Sequence, residues 1–129
     1  MSCLFQVRVT GVLIENEKIL LVKQRLSKDR MWSLPGGRLE QGEMLSAGLQ
    51  REFLEETGLS VSVGNLLYLC DVESSSHTVL HVTFLVSKVG GILQLPTNEK
   101  DENPILDVKF IPISNLLQYG FSTNFKNLV

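Results

Sequence analysis

The chain has 129 residues, of which 43% are hydrophobic and 20% are charged, proportions typical of one globular domain that can bury a core. The formal net charge of −2 without a basic patch argues against nucleic acid as the main partner, although a free nucleotide remains compatible because metal ions can carry its phosphates. Two cysteines are too few for a disulfide framework, no export signal is visible, and no apolar run approaches the roughly 18 residues of a membrane span. We therefore expect a single domain over residues 1–129, in the reducing cytoplasm and without a membrane partner.

The N-terminal part of the chain predicts a β-hairpin. Residues 7–14 and 19–23 are rich in β-formers and are separated by a polar turn. A polar loop follows, with Arg25 at its start, and Trp32 then precedes a Pro-Gly-Gly turn. Arg25 could bind a substrate phosphate or be solvated charge, and residue types alone leave both interpretations open.

The next stretch, residues 37–59, predicts a helix that carries a cluster of carboxylates. The helix is expected over residues 44–57, with Gly58 as its left-handed C-cap. On a helix, Glu52 and Glu56 are separated by roughly 40° and Glu52 and Glu55 by roughly 60°, so the three share one side. These carboxylates repel one another unless they are solvated, protonated or neutralised by cations. Ligands that are all oxygen favour Mg²⁺ or Mn²⁺.

A solvated acidic face is the alternative to a metal site, and two features argue against it. Leu45, Leu49 and Phe53 flank the carboxylates on the helical wheel, so the acids border a buried stripe. The lead-in is also unusually rich in glycine, which forces a tight loop with few side chains. A backbone carbonyl near Gly36 or Gly37 could therefore add a metal ligand.

The second half of the chain predicts further strands. Residues 61–72 are expected to form one strand with a bend near Gly64, and residues 77–87 a second strand that is covered on both sides. A zinc site formed by His77 and His81 is excluded, because residues four apart on a strand lie about 13 Å apart. We interpret His81 as a half-exposed strand histidine, and Gly90 with Gly91 as a turn.

The C-terminal third begins with an acidic loop, residues 96–104. This loop is either an exposed connection or a mobile segment that delivers a carboxylate, and Glu99 and Glu102 are the candidates. A last strand is predicted at 107–111, followed by a short helix that ends at Gly120. A final amphipathic helix is predicted from the spacing of Phe121, Phe125 and Leu128. The pattern as a whole predicts an α/β (α+β) fold with mixed strands around one central helix.

The segment 37–59 resembles the signature of the Nudix (MutT-like) hydrolases, G-x5-E-x7-R-E-U-x-E-E-x-G-U, in which U is a bulky apolar residue. The chain supplies every specified position without a gap: Gly37, Glu43, Arg51, Glu52, Phe53, Glu55, Glu56, Gly58 and Leu59. The resemblance implies the Nudix fold, a mixed β-sheet sandwiched between α-helices. It also implies hydrolysis of a nucleoside diphosphate linked to another group, with Mg²⁺ or Mn²⁺ as cofactor.

The residues and the resemblance together suggest a role for each charged side chain of the site. Glu52, Glu55 and Glu56 are expected to hold the metal ions, which lower the pKa of a bound water. Arg51 is expected to orient the glutamates, because its rigid fork suits carboxylates. Glu43, at the junction of loop and helix, could pair with Arg51 or reach a metal through water. The general base could be Glu55, Glu43 or a loop glutamate.

Residues outside the signature bear on the substrate. Many Nudix proteins carry a basic residue where Arg25 stands, and some take a ligand or base from a loop near Glu99 and Glu102, so we assign these three to substrate binding. A proline typical of ADP-ribose enzymes is absent from residues 74–76, which makes ADP-ribose a weaker candidate substrate. An oxidised nucleoside triphosphate and a nucleotide-linked alcohol are the other candidates. The alternative function is a catalytically silent nucleotide sensor. The retained carboxylates favour the enzyme, and a homodimer is compatible with the resemblance.

Overall fold

The computed structural model describes residues 5–25, 31–73, 78–96 and 104–129. Its strands, numbered in chain order, are β1 Phe5–Val12, β2 Ile14–Glu15, β3 Lys18–Lys23, β4 Trp32–Ser33, β5 Gly36–Arg38, β6 Leu59–Glu73, β7 Thr78–Gly91 and β8 Asp107–Pro112. Its helices are α1 Leu45–Thr57, a 3₁₀-helix Ile113–Tyr119 and α2 Thr123–Leu128. The predicted glutamates Glu99 and Glu102 lie outside the described residues.

The strands form two sheets. The first has the order β5-β1-β7-β6, in which β1 and β7 are parallel and the other pairs are antiparallel. The second is antiparallel and is centred on β3, which pairs with β2, β4 and β8. This mixed α+β arrangement agrees with the predicted fold class. None of the helices in the described part of the chain is long and apolar enough to cross a membrane.

Helix α1 packs on one face of the first sheet. Leu49 and Phe53 are fully buried there, in a cluster with strand residues such as Val9 and Val82. The glycine of β1 makes room for the aromatic ring, because a Cβ on Gly11 would lie 2.7 Å from Phe53 Cε2. A second apolar cluster joins β3 and β8 to the C-terminal segment. The carboxylates of α1 therefore emerge beside a rigid, well-packed helix–sheet contact.

Most predicted elements are confirmed by the structure. Helix α1 begins one residue later than expected and ends at Gly58, whose φ of 79° is the predicted left-handed cap. The bend in β6 appears as a register irregularity between Val63 and Leu66. The 3₁₀-helix ends at Gly120, again with positive φ.

Four expectations were wrong in detail. The predicted hairpin of residues 7–14 and 19–23 does not form as one unit, because β1 lies in the first sheet and only the two-residue strand β2 pairs with β3. Gly90 and Gly91 do not form a turn but continue β7, where they pair with Ser60 and Leu59. The segment after Trp32, expected to be a loop, contains the short strands β4 and β5. The final helix is present but begins at Thr123, so Phe121, the first residue of the predicted apolar spacing, lies before it.

Candidate active site

The loop that enters α1 folds back onto the helix through Glu43. Its Oε1 accepts a hydrogen bond from the backbone N–H of Glu40 at 3.0 Å. The helix face beneath it is left free by Gly48, where a Cβ would lie 2.9 Å from Glu43 Oε1 and 2.5 Å from Leu39 Cδ1. The glycine that lowers the intrinsic stability of the helix is thus what allows Glu43 to reach the site.

Arg51 is the hub of the carboxylate cluster. Its Nε and Nη2 donate to the two carboxylate oxygens of Glu43 at 2.7 and 3.0 Å, a bidentate pair. Its Nη1 donates to Glu52 Oε1 at 3.0 Å and to Glu55 Oε2 at 3.3 Å. Its Nη2 also donates to the carbonyl of Arg38 at 3.2 Å. The guanidinium therefore ties α1 to its entry loop and to the end of β5.

The contacts with Arg51 affect the pKa values of Glu43 and Glu52 differently. The hydrogen bond from Arg51, together with the Glu40 N–H, lowers the pKa of Glu43 to about 2. Burial raises the pKa of Glu52, and the hydrogen bond from Arg51 offsets only part of that effect. Hydrogen bonding to Glu43 in turn raises the pKa of Arg51, so the guanidinium stays charged.

Glu56 is the most enclosed acid of the cluster. Its Oε1 accepts a hydrogen bond from the backbone N–H of Gly36 at 2.9 Å, which joins α1 to the edge strand β5. Burial, and to a smaller extent the charge of Glu52, raise the pKa of Glu56 to about 8. Without a cation nearby, this carboxyl is mostly protonated at neutral pH.

Glu55 lies at the open side of the cluster. Its side chain is 58% exposed, against 15% for Glu43 and Glu52. Its contact with Arg51 is the longest of the three hydrogen-bonded pairs. Glu55 is therefore the acid of the cluster that faces solvent.

The residues fit a divalent cation, although their present rotamers do not form a coordination sphere. Within the described ranges, no three His, Cys, Asp or Glu side chains are arranged around one common point. Arg51 engages Glu52 and Glu55, and the Gly36 N–H engages Glu56. A bound cation would favour the ionised form of the two enclosed carboxyls, Glu52 and Glu56, whose pKa values are raised by burial. The available donors are all oxygen, which is the ligand type that Mg²⁺ and Mn²⁺ prefer.

The two predicted glycines lie beside this cluster, and the other candidate residues that the structure describes do not contact it. Arg25 is exposed just beyond the end of β3. Gly36 and Gly37 are both buried in β5, beside Glu56 and Glu52 respectively. His81 is half-buried, and burial together with the charge of Arg8 lowers its pKa.

Arg8 is a residue that sequence reasoning missed. Its charge lowers the pKa values of both Glu52 and Glu56 and opposes the effect of burial. Arg8 occupies a polar position in the alternating pattern of β1, which is the only signal that could have indicated it. The sequence does not show that β1 lies next to β5 and α1.

A depression of about 460 Å³ elsewhere on the surface is unrelated to these groups. Its lining comes from the β2–β3 turn and the end of β8, namely Asn16, Glu17, Lys18, Pro112, Ile113 and Ser114. It contains none of the predicted site residues, so the carboxylate cluster remains the candidate site.

Comparison with known proteins identifies the family. Residues 5–128 match the NUDIX domain. The chain belongs to the Nudix family. The chain is 31% identical over 119 residues to an ADP-ribose pyrophosphatase of Methanocaldococcus jannaschii, a match that covers 89% of this chain and 66% of that protein. It is 33% identical over 105 residues to the human 8-oxo-dGDP phosphatase NUDT18, covering 81% of this chain and 31% of the relative.

A solved structure shows the same fold. The Nudix hydrolase from Nitrosomonas europaea superposes with a TM-score of 0.77 at 22% identity, over 95% of this Nudix domain and 84% of that chain. The domain spans about two thirds and about one third of the lengths of the two named relatives. Their activities are therefore statements about longer proteins.

Proposed function

We propose that this Nudix domain is a Mg²⁺- or Mn²⁺-dependent pyrophosphohydrolase that cleaves a nucleoside diphosphate linked to another moiety. The observation that carries the proposal is the cluster of Glu43, Glu52 and Glu55 around Arg51, with Glu56 on the same helix enclosed against β5. The two named relatives support the substrate class, since ADP-ribose and 8-oxo-dGDP are both nucleoside diphosphate derivatives.

The enclosed acids of the cluster would hold the cation. Glu52 and Glu56, with a backbone carbonyl near Gly36 or Gly37, supply oxygen donors on the β5 side of α1. A bound divalent cation would neutralise the diphosphate and lower the pKa of a coordinated water. Arg51 holds the glutamates in place through a rigid fork of donors.

Glu55 is the best candidate for the general base. Glu43 is held on both oxygens by Arg51, and its pKa is lowered to about 2, which makes it a poor proton acceptor. Glu55 is exposed and makes one long contact, so an oxygen is free to accept a proton. Water oxygen would bond to phosphorus, its proton would pass to Glu55, and the bond from phosphorus to the bridging oxygen would break. The products are a nucleoside monophosphate and the phosphorylated partner moiety.

A substrate panel with Glu55→Gln tests the proposal. Phosphate-containing products are measured from ADP-ribose, 8-oxo-dGDP, nucleoside triphosphates and nucleotide-linked alcohols, with Mg²⁺, with Mn²⁺ and with a chelator. We expect turnover of at least one compound, its loss with the chelator, and a fall of about 100-fold in Glu55→Gln. Glu17→Gln, the same change at an exposed turn, is the matched control and should keep full activity.

Two outcomes would contradict the proposal. Tight binding of a nucleotide without turnover under any condition would make the domain a nucleotide sensor. Equal activity of Glu55→Gln and wild type would remove Glu55 from the mechanism and return the role of base to Glu43 or to the loop glutamates Glu99 and Glu102.

A further inference from the structure

The face of the first sheet opposite α1 carries a row of basic side chains. Directly paired residues in adjacent strands project to the same side of a sheet. The pairing register therefore aligns one row across all four strands, Arg38–Arg8–His81–Cys70. Three members of this row are basic or imidazole side chains.

The neighbouring row connects this face to the carboxylate cluster. It consists of Gly36, Thr10, Thr83 and Tyr68, again as successive pairing partners. Thr10 Oγ1 and Thr83 Oγ1 are hydrogen-bonded at 2.7 Å. The row ends at Gly36, whose N–H is bound to Glu56. Arg8 is thus one row away from the strand position that contacts Glu56.

Two of the charges on this face lie next to each other. Arg8 and Arg38 are direct cross-strand partners, an arrangement that destabilises a sheet when both are charged. From Gln6 to Thr10 and across their partners, the described positions of this face include no acidic residue. A guanidinium with no carboxylate beside it on its own face of the sheet is the kind of group that binds an anion.

The two arginines differ in how they are held. With its amide oriented so that the oxygen faces Arg38, Gln6 accepts hydrogen bonds from Arg38 Nη2 and Nε at 2.8 and 3.1 Å. Arg38 is also exposed, whereas Arg8 is half-buried. In the part of the chain that the structure describes, Arg8 has no hydrogen bond or ion pair to protein. Its rigid fork of donors is available to a ligand.

We propose that Arg8 binds a non-bridging phosphate oxygen of the substrate's diphosphate at the β5 edge of the first sheet, across from the glutamates of α1. The inference rests on the proposed function, because it places the diphosphate at the carboxylate cluster. Arg8 lies two residues before Thr10 on β1, and Thr10 pairs with Gly36, whose N–H is hydrogen-bonded to Glu56, so the register sets Arg8 near the edge of the sheet that meets the carboxylate cluster. A planar fork suits phosphate oxygens better than a point charge does.

The test uses a ligand that contains a diphosphate and nothing else. Binding of imidodiphosphate, which is not hydrolysed at its bridging nitrogen, is measured by calorimetry in Mg²⁺ for wild type, Arg8→Gln, Arg8→Lys and Arg38→Gln. We expect about a tenfold loss of affinity in Arg8→Gln, a smaller loss in Arg8→Lys and no more than about a twofold change in Arg38→Gln. Arg38→Gln is a matched control, since it removes the same charge from the same row.

A structural role for Arg8 predicts a different pattern. Because Arg8→Gln removes a like-charge contact, we expect the Tm of the unliganded protein to stay the same or rise. A fall in Tm with unchanged affinity for imidodiphosphate, or equal losses in Arg8→Gln and Arg38→Gln, would overturn the proposal. Weaker binding of α,β-methylene-ADP with unchanged binding of imidodiphosphate would also overturn it, since Arg8 would then contact the nucleoside.

Failure of the proposed function gives a separate result. A wild-type protein that hydrolyses no compound of the panel but binds imidodiphosphate through Arg8 would lose the enzyme assignment and keep this site. An active wild type whose Arg8→Gln variant keeps its KM and its affinity for imidodiphosphate would lose only the inference about Arg8.

Discussion

Gly37 and Glu52 are packed so closely that no side chain fits between β5 and the carboxylate. A Cβ on Gly37 would lie 2.6 Å from both Cδ and Oε2 of Glu52. The first glycine of the signature is therefore required by its contact with Glu52, the first of the proposed metal-binding glutamates, 15 residues later in the chain. The lead-in strand and the helix form one site because this contact holds them together.

Gly37→Ala is expected to displace the carboxylate and keep the fold. The obstructed atoms are the far end of a flexible side chain, so Glu52 can rotate away at little cost in stability. A displacement on the order of 1 Å in a positioning group can lower activity by roughly 100-fold. We expect such a loss in kcat/KM with a nearly unchanged Tm. Gly90→Ala is the control, because the nearest atom to its Cβ lies 4.0 Å away.

Arg51→Lys is expected to lower activity although it keeps the positive charge. Lysine cannot donate to both oxygens of Glu43 and also to Glu52 and Glu55 as the guanidinium does. We expect kcat/KM to fall by about tenfold or more, together with a lower Tm. Arg38→Lys is the control and should behave like wild type; equal kcat/KM for Arg51→Lys and wild type would show that charge alone is sufficient.

The acidity of Glu56 predicts how the metal-free protein responds to pH. The pKa of this carboxyl is raised from 4.5 to about 8, so the folded state holds a proton that the unfolded chain releases. Its contribution to stability is therefore complete below about pH 4.5 and is lost as the pH rises to about 8. We expect the Tm of the metal-free protein to fall more steeply over this range than the Tm of Glu56→Gln. Parallel Tm profiles would contradict the assigned acidity.

Magnesium should act most strongly at the upper end of this range. A cation that binds Glu56 must displace its proton, so the affinity for Mg²⁺ is expected to rise from about pH 6 to about pH 8. Calorimetry in two buffers of different ionisation enthalpy measures the proton released. No proton release near neutral pH would exclude Glu56 as a ligand.

Gly58→Ala tests the cap of α1. Gly58 has a φ of 79°, and a Cβ there would clash with the backbone carbonyl of Ile92. A non-glycine residue in this conformation costs about 1–3 kcal/mol, and the clash with backbone adds to that. Gly42→Ala separates the two effects, because Gly42 has the same φ and nothing within 4 Å of the added Cβ. We expect a clearly larger fall in Tm for Gly58→Ala than for Gly42→Ala.

The local parts of the site could be predicted from the sequence. The spacing of Glu52, Glu55 and Glu56 places them on one side of a helix whatever the rest of the chain does. The same local reasoning gave Gly58 as the C-cap. Pairing of Glu43 with Arg51 was one of two alternatives that the sequence left open, and the structure shows it at 2.7 Å.

The remaining parts depend on contacts between distant segments. Gly90 and Gly91 have the composition of a turn, but pairing with the start of β6 holds them in a strand. Arg8 gave no distinct signal, because its significance comes from the register that sets β1 beside β5 and β7. No periodicity within one segment encodes which strand will lie next to another.

The central claim is that Glu52 and Glu56 bind a divalent cation beside Gly36, with Glu55 at the open side of the same cluster. Anomalous diffraction from a crystal soaked in Mn²⁺ tests it most directly. The account predicts an anomalous peak roughly 2.0–2.3 Å from carboxylate oxygens of Glu52 and Glu56, with Arg51 still bound to Glu43. A well-occupied Mn²⁺ elsewhere, with no peak beside these glutamates, would contradict it.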